Sequence, residues 1–425
     1  MARQYLSISA LLMGSFFLLF AGGINSLILP LRGSAEGFSA PALGLLGTGW
    51  AVGYVSGCLF TARLVQRVGH IRSFSVMAAL AGIVILMQLL IIRPEAWIPL
   101  RALQGFCFAG AAMIVESWLG ERADPANRGK IFGTYTMVNL VASTAGQMTL
   151  TLGDTRGYLF FVIGAMAYML ALIPTAITSS ASPKPLVSVK IDVRKIWKAS
   201  PVAVLSVFMV GVSNSAFGTL AAVYADRIGL AVSGIALFAS LPILAGAAAQ
   251  IPVGILSDRM DRRKVLMGVA LVGLLADAAF VALAPESRAI NLALVAVFGA
   301  AIFAMYPIIV AHANDNSDGD FIQVSGGLLM IFGVGSIIGP LFAGVAMGAL
   351  GARGLFLTTA LAHIVIIAYA AYRISQKAPV AQEEKTDFKL QPNARTSTPQ
   401  TAALAATEAE ENAAVDLDEA DQPPK

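Results

Sequence analysis

The chain of 425 residues is 57% apolar, about 242 residues, close to the roughly 240 that about twelve bilayer spans of about 20 residues would need. Only 13% of residues are charged, about half the roughly 25% of a soluble domain, and mean hydropathy is +0.75; a soluble fold is excluded, because so few charges cannot cover so much apolar surface. The net charge of +4 is uneven: the last 51 residues, from Ser375, hold ten acids against five bases, so removing their −5 leaves +9 on the body.

Apolar runs about long enough to cross a bilayer recur at 5–29, 41–64, 73–92, 96–119, 131–153, 157–179, 201–224, 231–256, 265–284, 289–311, 322–347 and 354–374. The first run exceeds the apolar part of a signal peptide and reads as a retained span. Backbone groups in lipid must bond within their own segment, and no run alternates with period two, so the spans are helices rather than barrel strands.

The short loops give the orientation. Even-numbered loops hold fifteen cations: Arg63, Arg67 and Arg72; Arg122, Arg128 and Lys130; Lys184, Lys190, Arg194, Lys195 and Lys198; Arg259, Arg262, Arg263 and Lys264. Odd-numbered loops hold six: Arg32, Arg93, Arg156, Arg227, Arg288 and Arg353. That bias places both termini in the cytoplasm.

Residues 180–200 carry Pro183, Pro185 and a basic segment with Ile191, Ile196 and Trp197, which suits a cytoplasmic linker whose end lies along the inner membrane surface. The linker divides a bundle over 1–179 from one over 201–374, and the acidic residues 375–425 read as a disordered cytoplasmic tail. A similar element recurs in each half, Gln66-Arg67-Val68-Gly69-His70-Ile71-Arg72 and Asp258-Arg259-Met260-Asp261-Arg262-Arg263-Lys264, at an offset of 258 − 66 = 192 residues. The halves read as repeats of one unit.

Cys58 and Cys107 lie far apart in apolar runs, and His70, His312 and His363 are scattered, so neither a disulfide framework nor a metal site is expected. No G-x-x-x-x-G-K-[ST] loop is present, which argues against nucleotide-driven transport, and no enzymatic chemistry, cofactor or nucleic-acid partner is expected.

Several motifs carry a family resemblance. Gly254-Ile-Leu-Ser-Asp258-Arg259-Met-Asp261-Arg262-Arg263 fits G-x-x-x-D-R-x-G-R-R with Asp261 replacing the glycine; the first-half copy is degraded by Ala62, Gln66 and His70. Arg101-Ala-Leu-Gln104-Gly105, with Gly110, fits R-x-x-q-G. On these residues the sequence resembles a twelve-helix bacterial member of the major facilitator superfamily of secondary transporters. The resemblance implies an all-α fold of two pseudo-symmetric six-helix bundles, in a bacterial inner membrane, with spans one, four, seven and ten lining a midplane cavity exposed alternately to each side. Tyr306-Pro307 through His312-Ala-Asn314-Asp315, Gly333-Val-Gly335-Ser336-Ile-Ile-Gly339-Pro340 and Glu116-Ser117-Trp118-Leu119 are similar to one branch of that superfamily. The G-x-x-x-G-P-x-x-G-G pattern of its drug/proton antiporters is missing from span five, which reads Gly133 through Asn139 to Gly146-Gln147.

Charges inside spans are the candidate working parts. In the second-half signature, Asp258 is placed to accept bonds from Arg259 and from amides at the start of the next helix, forming a gate with Arg262 and Arg263; alternatively these cations only set topology. An arginine at a helix centre costs roughly 2.5–3.5 kcal/mol on insertion scales, so Arg101 either faces a wet cavity or snorkels to the outer surface. Glu116, fifteen residues on, lies within 60° of it around an ideal helix and about 22 Å along the axis. Glu116, Asp277 and His312 are the candidate proton carriers. Glu116 could equally pair with Arg122 or Lys130, Asp277 could bond a neighbouring Asn or Gln, and His312 with Asp315 could form a latch or a helix cap.

Asn25, Gln104, Asn139, Gln147, Asn214 and Gln250 offer neutral hydrogen bonds, and Trp50, Tyr54, Phe106, Phe108, Phe217 and Tyr306 offer flat surfaces. With Arg101 alone as cation, that mixture suits a planar polar heterocycle better than a small ion or phosphate. The expectation is a monomer taking up a small organic solute, a flavin-type vitamin such as riboflavin as the named candidate, driven by the solute's own gradient or by protons. A proton-coupled exporter of drugs or metabolites, and a membrane adaptor or sensor that moves nothing, are the alternatives.

Overall fold

The computed structural model describes residues 2–122, 127–177, 192–317, 321–401 and 404. Among these, helices follow one another as α1 (Ala2–Ala35), α2 (Ala40–Val68), α3 (His70–Leu90), α4 (Pro94–Arg122), α5 (Arg128–Thr149), α6 (Leu159–Ile177), α7 (Val193–Ala199), α8 (Pro201–Arg227), α9 (Val232–Arg259), α10 (Arg262–Leu283), α11 (Arg288–Asn314), α12 (Phe321–Leu350) and α13 (Gly354–Gln376). Eleven are long and apolar enough to cross a membrane. The exceptions are the seven-residue α7 and α5, whose 22 residues reach about 33 Å but carry a polar stripe.

Boundaries follow local chemistry. Ser39 Oγ accepts from Ala42 N at 3.3 Å to cap α2, and Ser200 Oγ accepts from Ala203 N at 3.3 Å to cap α8, with Pro201 in the first turn where its missing N–H costs nothing. Between α2 and α3 a single residue, Gly69 at φ 86°, turns the chain, in a region that side chains disfavour.

The packing repeats. Helix α1 packs on α5 and α6, α3 on α4 and α6, and α2 on α4; in the second half α8 packs on α12 and α13, α10 on α11 and α13, and α9 on α11. Shifting each label by seven turns one set into the other. Lipid gives helices no hydrophobic reason to associate, so close backbone contact at small residues takes over. A Cβ on Gly23 would strike the carbonyl oxygen of Ser143 between α1 and α5, and one on Gly211 would strike that of Phe332 between α8 and α12. The bundles meet along α2 and α12, where Gly44, Gly47, Pro340 and Gly344 bring backbones together and Thr48 Oγ1 donates to Ile337 O at 2.8 Å. A second contact joins α5 to α9, where Ser240 Oγ donates to Gln147 Oε1 at 2.7 Å.

Two stretches need separate mention. Linker residues 178–191, with Pro183, Lys184, Pro185, Lys190 and Ile191, lie outside the described residues; α7 follows, its Ile196 buried and Trp197 exposed. The tail departs from expectation. After an exposed stretch at 377–384, residues 385–401 are not a solvated appendage but run back between the two bundles, with Thr398 and Thr401 buried. The physical reason is composition: residues 377–401 hold Lys377, Lys385, Lys389 and Arg395 against Glu383, Glu384 and Asp387, and seven of the ten acids lie beyond them.

Candidate transport cavity

Between the bundles lies a cavity with two connected regions. The first is walled by Asn25, Trp50, Arg101, Phe108, Gln147 and Asn214, the second by Glu116, Tyr135, Asn139, Gln250 and Tyr306; Ser143, Asn214 and Phe303 border both. Of the thirteen residues expected to face solute, ten line it, Phe217 among them; Tyr54, Phe106 and Gln104 do not. Gln104 stands behind Arg101 and accepts from its Nη1 at 2.6 Å. Helices α1, α4, α8 and α11 contribute walls, as expected, and α2, α5 and α9 contribute too.

The walls combine rings with neutral polar groups. Trp50 lies 4.9 Å from Tyr54 and 6.2 Å from Phe108 between centroids, a tilted cluster with two of its rings on α2 and one on α4. Asn25 Nδ2 donates to Tyr168 Oη at 3.2 Å, and Ser15 Oγ donates to Asn139 Oδ1 at 2.7 Å. Asn25 Oδ1, Asn214 Oδ1, Arg101 Nε and Gln104 Nε2 are buried without a hydrogen-bond partner. Unsatisfied donors and acceptors of this kind are costly unless water or a ligand meets them. Arg101 is only 7% exposed and borders the cavity, so it does not snorkel.

On α5, Tyr135, Asn139, Ser143 and Gln147 recur every four residues and so share one helix face, which borders the cavity. Ser143 and Tyr135 escaped the sequence reading, although that spacing alone would have revealed them. Glu116 pairs with neither Arg122 nor Lys130. Its carboxylate accepts from Tyr135 Oη at 2.8 Å and Thr401 Oγ1 at 2.6 Å, and also from Thr398 Oγ1.

Asp277 is not in the cavity walls. It is sealed inside the second bundle, accepting from Thr359 Oγ1 at 2.6 Å and facing His363 Nδ1 at 2.7 Å, while His363 Nε2 lies 3.2 Å from Ser213 Oγ. The expected Asn or Gln partner is thus replaced by a histidine 86 residues away on α13.

The second-half signature forms an ion network, with partners different from those expected. Arg262, not Arg259, reaches Asp258 at 3.1 Å and also Asp315 at 2.7 Å, tying α9, α10 and the end of α11 together; Arg259 is exposed. Asp261, in the glycine position of the pattern, caps α10 by accepting from Arg263 N at 3.0 Å and pairs with the Arg263 side chain at 2.8 Å. Burial works to raise the Asp261 carboxyl, but the bonds and charge of Arg263 outweigh it and hold the group below its ordinary 3.8. Arg263 Nη1 also donates to Lys377 O at 2.9 Å, at the end of α13. Asp315 pairs with Arg262 rather than with His312, which is half-buried and borders the same crevice.

Comparison with known proteins agrees with this architecture. An uncharacterized MFS-type transporter of Enterobacter sp. (strain 638) is 26% identical over 349 residues, 79% of this chain and 88% of that protein. The uncharacterized MFS-type transporter YcaD of Salmonella typhi is 25% identical over 373 residues, 86% of this chain and 95% of its own. Among solved structures, the nucleoside transporter NupG superposes with a TM-score of 0.73 at 13% identity, covering 87% of this chain and 100% of that one. A bacterial homolog to the human lysosomal transporter Spinster, inward-facing and occupied, gives 0.69 at 18% identity, covering 90% and 98%. Likenesses at such identities speak for the fold. The sequence profile of the Major Facilitator Superfamily matches residues 11–230 and 203–409, and a chain so matched, folded as paired bundles around a polar cavity, belongs to that superfamily of membrane transporters.

Proposed function

We propose that this transporter takes up a small organic solute built on a planar, polar ring system, by alternating access across a bacterial inner membrane with both termini in the cytoplasm. The supporting observation is the pair of rings Trp50 and Phe108, backed by Tyr54, on the walls of the same cavity as Asn25, Asn139, Gln147 and Asn214. Flat rings supply stacking area, amides read a heterocycle's edge, and Arg101 with its free Nε supplies one positive donor. A flavin-type vitamin such as riboflavin fits that description. So does a nucleoside, the solute class of NupG, which shares the fold.

Glu116 is the proton carrier in this reading. It borders the cavity and accepts from Tyr135 Oη at 2.8 Å, and among the described residues no cation pairs with it. Asp277, closed off behind His363, serves the second bundle's packing. Alternating access follows from rocking about the α2–α12 seam, and the network of Arg262 keeps the second bundle rigid during that motion.

Expression in a strain unable to make riboflavin tests the named solute: growth at low external vitamin is expected, and growth no better than the empty vector eliminates it. A thermal-shift series with vitamins and nucleosides on purified protein then ranks the class, since a ligand that binds only the folded state stabilises it.

A further inference from the structure

We infer that the central cavity is a docking site for the chain's own C-terminal segment, residues 382–401, and that docked tail and transported solute exclude one another. The exclusion rests on the proposed function above; the docking does not.

The segment is held at successive points from the mouth to the floor of the cavity. At the mouth, Lys385 Nζ donates to Met260 O at 2.7 Å, Thr386 N and Oγ1 donate to Asp315 Oδ1 at 2.9 and 2.8 Å, and Phe388 N donates to Asp258 Oδ1 at 3.1 Å. Arg262, already bound to both carboxylates, also donates to Thr386 O. Deeper in, Gln250 reads the Gln391 backbone in both directions, accepting from its N at 3.0 Å and donating to its O at 3.1 Å. At the floor, the Arg395 guanidinium sits 5.4 Å from the Trp50 ring centroid and donates to Thr219 Oγ1 at 3.2 Å. Tyr54 Oη donates to Ser397 O at 2.9 Å, and Thr398 and Thr401 end the path on Glu116.

Helix surfaces are cut to receive these side chains. A Cβ on Gly254 would meet the Phe388 ring, one on Gly218 the Arg395 guanidinium, and one on Gly120 would come 2.7 Å from Leu404. Three glycines on three helices of both bundles thus open directly onto tail side chains.

Two consequences follow. The segment covers Trp50, Tyr54, Gln250 and Glu116, the groups a solute would use. It also bonds both bundles, through Tyr54 and Glu116 on one side and Gln250, Asp258, Asp315 and Thr219 on the other, so the halves cannot close at this end while it is docked. An extended peptide of near-neutral charge is therefore a competitive occupant of the cavity and a wedge against the return stroke.

Thiol labelling tests docking without needing the solute. In a chain whose Cys58 and Cys107 are replaced by Ala, Ser143→Cys places one thiol on the cavity wall. Deleting residues 377–425 is expected to raise its maleimide reaction rate about tenfold, as for a site free only about a tenth of the time. Phe388→Ala with Arg395→Ala in the full-length chain should raise it likewise, and a synthetic peptide of residues 382–401 should slow the truncated protein again. Equal rates in full-length, doubly substituted and truncated protein would overturn the docking. With labelling raised, faster solute uptake by the truncated chain supports exclusion, and unchanged uptake overturns it. Raised labelling with no uptake by either chain supports docking and counts against the solute reading alone.

Discussion

At the turn from α9 to α10, Arg262 is buried between Asp258 and Asp315; at the turn from α2 to α3, 192 residues earlier, His70 occupies the same place and lies against the Trp118 ring at 6.0 Å. Asp261 caps one turn with a carboxylate, and Gly69 makes the other with a left-handed backbone. Among the described residues no ion pair joins α2 to α3. Buried charge is divided the same way: the first bundle points Arg101 and Glu116 into the cavity, whereas the second encloses Asp277 with His363. Two halves with one packing plan therefore differ in where they put charge, the first presenting ionisable groups to the cavity and the second enclosing them within its own packing.

The sharpest test sets Arg101→Ala against Asp277→Asn. Arg101→Ala is expected to reduce uptake to the empty-vector level at normal membrane abundance, while Asp277→Asn lowers the melting temperature and leaves uptake per folded molecule intact. Loss of uptake from both would erase the difference between the halves. Next, Arg262→Ala leaves the buried Asp315 carboxylate without its cation and should destabilise by about 3 kcal/mol, against about 1 kcal/mol for His70→Ala, as read from denaturation of the purified protein. Similar losses at the two turns would remove the asymmetry. In a chain lacking residues 377–425, Glu116→Gln should abolish the pH dependence of uptake; a retained dependence would move the proton carrier elsewhere.

The smallest effect concerns Asp261. Because its carboxyl is held below 3.8 when folded, the stability it contributes is complete above its unfolded value and lost as pH falls through the folded one. Asp261→Asn should cost about 1 kcal/mol, equally at pH 6 and pH 8, with the difference from the parent closing under strong acid. A difference that instead varied between pH 6 and pH 8 would mean that another group controls this turn.

Helices were legible because lipid forces long uninterrupted apolar segments, so run and helix nearly coincide, as at 265–284 against Arg262–Leu283. Cavity residues were legible where a polar group interrupts such a run: Asn25, Arg101, Asn139 and Asn214 have no other reason to be there. Partners distant in sequence were not. His363 is 86 residues from Asp277, and nothing in either neighbourhood points to the other. The choice of Arg262 over Arg259 depends on helix phase at a turn, which a run of adjacent cations does not fix. The tail was misread because a 51-residue window averaged a docked segment of net charge +1 with a strongly acidic one beyond it.

The seam between α2 and α12 brings backbones together at Gly44, Gly47, Pro340 and Gly344, while larger side chains such as Val55 meet α12 further along. Parting the glycine-lined stretch disturbs few side chains and breaks the bond from Thr48 to Ile337. Smooth faces of this kind come apart and re-seat in the same register, which suits the rocking proposed for this transporter.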